Sequence, residues 1–217
     1  FYGPLVAYLR RRWKAKAYLI LRDIFPDWAV DTGVLKKGPV YYLFKVFEHL
    51  QYRTADVIGV ETSRSVEYFK TTPYVDKVEL LRNWTSADVP VRCERSYRKE
   101  LHFDGKVVFF YGGNIGVAQD MDNIMRLARR MSKHPDVRFL LVGEGSEVDR
   151  LRKMISDERM DNVTLLPPVD PDTYLSMLSE CDVGVITLDF RLRTYSNTGK
   201  LLGYMRCGLP ILASYNP

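Results

Sequence analysis

The feature that most constrains this chain is the strict alternation, from Lys106 onward, of short apolar runs with segments of helical period. Val107-Val108-Phe109-Phe110-Tyr111, Phe139-Leu140-Leu141-Val142, Val163-Thr164-Leu165-Leu166, Val183-Gly184-Val185-Ile186-Thr187-Leu188 and Ile211-Leu212-Ala213 are apolar at nearly every position, while Ile124, Leu127, Ala128 and Met131 recur at helical spacing. Strands apolar on both sides have both faces covered, and parallel strands need helical crossovers between them. Further helices are expected around 148–155, after Asp170-Pro171 and at Lys200. This half therefore predicts a doubly wound parallel α/β sheet.

Upstream, Tyr18-Leu19-Ile20-Leu21, Asp56-Val57-Ile58-Gly59-Val60 and Val78-Glu79-Leu80-Leu81 are strand-like, with helices expected at about 4–16, 39–53 and 63–70. The stretch from Ser86 to Gly105 is polar, charged and without apolar period, as a linker would be. The expected division is an N-terminal domain 1–85, a linker 86–105 and a C-terminal domain 106–217. Two Rossmann-like domains joined there would face a cleft, lined at the strand ends by loops 22–28, 111–119, 143–146, 167–170 and 189–200. The chain opens on Phe1 and its last strand ends at Pro217 with nothing to cover the sheet, so both domains are expected to be incomplete.

Charge is unevenly spread. Residues 1–53 hold ten Lys/Arg against four acids, and Arg10-Arg11-Arg12-Trp13-Lys14-Ala15-Lys16 mixes cations with aromatics. Such a helix suits an anionic membrane surface or a lipid pyrophosphate, a solvated basic face being the plainer alternative. Nucleic acid is not expected, because no nucleic-acid fold signature accompanies the run. The three cysteines, 93, 181 and 207, have neither disulfide-framework nor zinc spacing, which points to a reducing compartment. No run approaches the roughly 20 apolar residues that span a bilayer, so membrane contact should be peripheral, on the cytoplasmic face. His49, His102 and His134 are scattered, and Asp120-Met121-Asp122 sits in a helix start where acids favour the dipole; no metal and no cofactor are expected.

Two loops suit an anion. Ser196-Asn197-Thr198-Gly199-Lys200 opens a helix with backbone N–H groups and one point charge, and Tyr111-Gly112-Gly113-Asn114-Ile115-Gly116 lets backbone approach a phosphate closely. The plain readings are an ordinary helix–strand connection and a tight turn. Glu144, between Gly143 and Gly145, follows the next strand in a turn. In the first half, Arg22-Asp23-Ile24-Phe25-Pro26-Asp27-Trp28 follows a strand. Asp23, pressed among aromatics, could orient a hydroxyl or act as a base, or could pair with Arg22 to brace the turn. Asn83-Trp84 reads as a turn between domains.

The Lys200 helix with its Gly208-Leu209-Pro210 exit, Gly143-Glu144-Gly145, Pro167-Pro168-Val169 and Tyr111-Gly112-Gly113-Asn114 together resemble the retaining family-4 glycosyltransferases of GT-B fold, over nearly the whole chain. Leu21-Arg22-Asp23-Ile24-Phe25-Pro26-Asp27-Trp28-Ala29 resembles a bacterial subgroup that builds O-antigen, capsule and lipopolysaccharide units on undecaprenyl pyrophosphate, such as N-acetylfucosamine and N-acetylgalactosamine transferases. The resemblance implies a UDP-sugar held by the second domain, an undecaprenyl-pyrophosphate-linked acceptor held by the first, and metal-independent transfer with retention. Gly112, Gly113 and Asn114 would meet the diphosphate, Glu144 and Val169 would border the base, and Lys200 would lie near the phosphates. Asp23 and Arg22 fall where the family has its acceptor-side pair. Arg10, Arg11, Arg12, Trp13 and Lys14 would meet membrane or acceptor. Many members carry two glutamates eight positions apart, replaced here by Tyr195 and Gly203, while the usual Arg and Lys of the phosphate loop become Gly113 and Gln119. Arg191, Arg193 and Lys200 are the expected substitutes for that charge. A non-catalytic two-domain binding protein and a sugar-nucleotide epimerase are the competing readings.

Overall fold

The first half builds a three-stranded sheet from Tyr18–Leu21 (β1), Val57–Val60 (β2) and Val78–Leu80 (β3). The strands run parallel in that order, with Leu21 opposite Val60 and Val60 opposite Leu80. Four helices accompany them: Gly3–Trp13 (α1), Asp27–Asp31 (α2), Pro39–Thr54 (α3) and Ser63–Phe69 (α4). Pro4 fits the first turn of α1, where its missing N–H is not needed, and Lys14 in the left-handed region (φ 51°) ends the helix short of the expected residue 16. Thr62 caps α4 by accepting from the Ser65 N–H at 3.0 Å. The core gathers Ile24, Tyr52, Ala55, Ile58, Val60, Phe69 and Tyr74.

In the computed structural model, residues 2–86, 96–192 and 198–214 are described, and the chain divides between Asn83 and Trp84 into two compact units. The expected interdomain turn falls on that division. Residues 96–105 are not linker but part of the second unit. Tyr97–Glu100 forms a short helix (α5), where Glu180 accepts from the Arg98 N–H at 2.8 Å, and the Arg98 guanidinium reaches Asp182 at 2.6 Å. Polarity suggested a tether, and the polar groups are spent on docking.

The second unit carries five parallel strands: Val107–Gly112 (β4), Val137–Val142 (β5), Val163–Leu166 (β6), Val183–Ile186 (β7) and Ile211–Ala213 (β8). Their order, β6-β5-β4-β7-β8, is that of a doubly wound sheet, with Gly112 opposite Val142 and Val142 opposite Leu166 at the carboxyl ends. The helices are Met121–Met131 (α6), Val148–Asp157 (α7), Pro171–Ser179 (α8) and Gly199–Arg206 (α9). One face of the sheet buries Tyr111, Phe139 and Leu141 under Ile124, Met125 and Leu151; the other buries Phe110 and Leu140 under Met177, Leu178 and Tyr204. Both faces are covered, which is why the strands lack alternation.

Candidate functional site

At the carboxyl ends of β4 and β5 two glycine loops lock into one another. The Gly113 N–H donates to Val142 O at 2.9 Å, the Ile115 N–H to Glu144 O at 2.7 Å, and the Glu147 N–H to Ile115 O at 3.0 Å. The contact leaves no room for side chains. A Cβ on Gly143 would stand 1.9 Å from Gly113 O, one on Gly145 would stand 2.3 Å from Ile115 O, and both residues have strongly positive φ, 156° and 150°. Gly113 and Asn114 are exposed on this loop pair, and so is Glu144.

Lys200, in the first turn of α9, reaches the same loops. Its ammonium donates to Gln119 Oε1 at 3.0 Å and lies 4.7 Å from the centre of the Tyr111 ring. It comes within 3.8 Å of where a Gly113 Cβ would be. Burial without an acidic partner lowers its pKa to about 8. Tyr111 is fully buried and donates to Asn114 O at 2.6 Å, fixing the loop from beneath. Tyr204, also fully buried, donates to Val185 O at 3.1 Å and accepts from the Gly112 N–H at 3.4 Å, tying α9 to β4 and β7. The result is a set of backbone dipoles and one desolvated cation around an open loop surface, an arrangement that suits a diphosphate. Sequence reasoning missed Gln119 and Tyr111 as the seat of Lys200. Among the other expected donor residues, Val169 is half-buried against the α8–α9 side of the core. Arg191 is exposed and falls with the first unit, and Arg193, like Tyr195, lies outside the described residues.

A family model described as glycosyl transferases group 1 matches residues 105–217, the stretch that carries both glycine loops and Lys200. The chain belongs to that family. Among curated glycosyltransferases it is similar to the probable glycosyltransferase WbjE of Pseudomonas aeruginosa, 28% identical over 97% of this chain and 53% of that protein. The putative colanic acid biosynthesis glycosyl transferase WcaI of Escherichia coli K12 is 25% identical over 86% of this chain and 48% of its own length. The chain thus spans about half the length of these relatives. Its fold matches the crystal structure of Anabaena Alr3699/HepE in complex with UDP and glucose, with a TM-score of 0.73 at 16% identity, over 97% of this chain and 56% of that one. This likeness shows the α/β fold of GT-B glycosyltransferases.

In the first unit of this glycosyltransferase-family chain, the loop after β1 departs from expectation. Arg22 does not pair with Asp23. Its Nε reaches Glu61 Oε1 at 3.2 Å, and Glu61 is only 6% exposed. Asp23 is exposed rather than pressed among aromatics. The carboxylate held among aromatics is Asp27, which accepts from Tyr41 at 2.8 Å, Tyr68 at 2.5 Å and Lys45 at 3.2 Å. Burial raises the Asp27 pKa, but the hydrogen bonds from Tyr68 and Tyr41 and the Lys45 charge outweigh it and hold the carboxyl below its usual range. Lys45 also pairs with Glu48 at 2.5 Å, and there burial dominates and raises the Glu48 pKa.

The basic helix α1 also differs in one respect. Arg10 is half-buried, bound to Asp56 at 2.6 Å and to the Thr54 carbonyl, so it ties α1 to the start of β2. Arg11, Arg12, Trp13 and Lys14 are exposed. Arg10, Arg11, Lys14, Lys16 and Arg53 line a groove of about 630 Å³ between α1 and α3. Among the described residues no group of three His, Cys, Asp or Glu could hold a metal ion, and no helix is long and apolar enough to cross a membrane.

Proposed function

We propose that this chain is the core of a retaining glycosyltransferase. It moves a sugar, an N-acetylhexosamine such as GalNAc or FucNAc, from a UDP-sugar to an undecaprenyl-pyrophosphate-linked saccharide in O-antigen or polysaccharide assembly. The observation that carries the reading is the desolvated Lys200 ammonium beside the interlocked Gly113 and Gly143 loops. A UDP diphosphate replaces the missing counter-charge of Lys200 and takes backbone N–H donors from the loop pair, and the same contacts stabilise the UDP that leaves as the glycosidic bond forms. UDP in the HepE crystal structure supports the choice of nucleotide.

In this reading Glu144 and Val169 border the base, and Asp23 beside Arg22 orients the acceptor hydroxyl. Lys200 and backbone dipoles supply the positive field in this proposal, and turnover needs no metal ion. The basic helix α1 holds the enzyme on the cytoplasmic face of the bacterial membrane, where a lipid-linked acceptor resides. The decisive experiment incubates the protein with a panel of UDP- and other nucleotide-sugars and a prenyl-pyrophosphate-linked saccharide, and weighs the products by mass spectrometry. Addition of one N-acetylhexosamine from its UDP donor is expected. UDP binding without transfer to any lipid-linked acceptor would reduce the chain to a binding module.

A further inference from the structure

Helix α3 is built inside out. Its protein-facing side carries Glu48, 8% exposed, with Lys45, Tyr41 and Tyr52, all engaged in polar contacts. Its solvent side carries Tyr42 (64% exposed), Leu43 (54%), Val46 (56%) and Leu50 (37%). At 3.6 residues per turn these four fall within about 100° of one another, a continuous apolar stripe. A surface helix that turns Glu48 and Lys45 inward and presents leucine and valine to water lacks the covering that would make the pattern favourable.

The stripe runs into the basic groove. Leu50 and Arg53 of α3 line it together with Arg11 and Lys14 of α1, and Gly3 brings the two helices close, since a Cβ there would sit 3.1 Å from the Gln51 nitrogen. On α1 the residues Leu5, Tyr8 and Trp13 are also exposed, and the groove is lined by five cations, of which Arg10 and Lys16 pair with Asp56. Apolar and aromatic side chains beside the exposed cations Arg11, Lys14 and Arg53 match an anionic lipid bilayer, whose acyl boundary takes the former and whose headgroup phosphates take the latter.

We infer that α3, through Tyr42, Leu43, Val46 and Leu50, is the apolar half of a two-helix surface that docks on anionic phospholipid, α1 being its cationic half. This rests on the proposal above that α1 meets a membrane and extends it to residues that carry no charge. The test compares the protein with two variants, Leu43→Gln/Val46→Gln/Leu50→Gln and Arg11→Glu/Arg12→Glu/Lys14→Glu, each checked for parental circular dichroism and unfolding midpoint. Cosedimentation is measured with phosphatidylcholine vesicles with and without phosphatidylglycerol, at low and high salt, and sedimentation velocity is run without lipid.

The apolar variant is expected to partition at least about tenfold more weakly onto phosphatidylglycerol vesicles, with its residual binding abolished by salt. The charge variant is expected to lose binding at low salt. If the apolar variant binds as the parent does while the charge variant does not, the stripe is no part of the surface and α1 acts alone. If neither variant changes binding, the membrane reading falls with it. If the parent is a dimer without lipid and the apolar variant is a monomer, the stripe is a self-association face and the inference is overturned.

Discussion

Lys200 is placed where an ammonium is least comfortable, and its response to pH follows from that. Its folded pKa of about 8 is below the ordinary 10.5, so the fold binds fewer protons than the unfolded chain between those values. Its cost to stability is therefore full below about pH 8 and is relieved as pH rises toward 10.5. A diphosphate reverses the preference, because it stabilises the charged form. UDP binding should take up a proton above pH 8 and weaken as pH climbs, which calorimetry in two buffers of different ionisation enthalpy will measure. Lys200→Met keeps the stem but should weaken UDP binding by about 1–3 kcal/mol and abolish that proton uptake. Unchanged affinity in the folded variant would remove Lys200 from the site. Lys200 itself is legible in the sequence from its helix start. Its seat on Tyr111 and Gln119 is not, because a residue 81 positions away in the chain leaves no periodic signal.

At the scale of elements, the loops and the helices behave differently as readable objects. Among the described residues the strands and the longer helices are legible as short apolar runs and helical periods, most plainly in β4 and β5, where cover on both faces makes the runs nearly continuous. The inversion of α3 is not legible, since Pro39–Thr54 carries aromatic or aliphatic residues on both its charged and its uncharged side and only the packing says which side is wet. The choice between Asp23 and Asp27 is hidden for a similar reason: two carboxylates four positions apart look alike until Tyr41, Tyr68 and Lys45 converge on one. Asp27 starts α2, Tyr41 and Lys45 belong to α3 and Tyr68 to α4, so a single carboxylate fastens three helices. Asp27→Ala should destabilise the protein by about 2–4 kcal/mol in urea melts, the range for orphaning buried donors. The lowered Asp27 pKa means that its contribution is present above its unfolded value of 3.8 and is lost as pH falls through the folded value. Asp27→Asn should accordingly flatten the stability loss of the parent below pH 4, and an unchanged acid limb would show the carboxylate to be idle.

For the molecule as a whole, the proposed function assigns chemistry to the second unit and membrane location to the first, and two outcomes check this. Chelation by EDTA should leave UDP binding and sugar transfer intact, and turnover lost in EDTA and restored by Mg²⁺ or Mn²⁺ would show that the positive field comes from elsewhere. Reversal of Arg11, Arg12 and Lys14 should remove salt-sensitive liposome binding while UDP affinity, which the proposal places on the second unit, stays within about twofold. Arg10 is left out of that variant because its bond to Asp56 anchors α1. A loss of UDP affinity equal to the loss of lipid binding would contradict the separation.

The interlock of Gly113 with Gly143 has a consequence for how such a pocket can be redesigned. With Gly113 O where a side chain on residue 143 would have to stand, neither loop can be remodelled without the other, and Gly143→Ala should cost about 3 kcal/mol or more. Asn114 and Glu144 are exposed side chains carried by the interlock rather than packed into it. If the proposed donor site holds, a library built on those two positions should shift the choice of sugar nucleotide while the interlocked backbone is inherited unchanged.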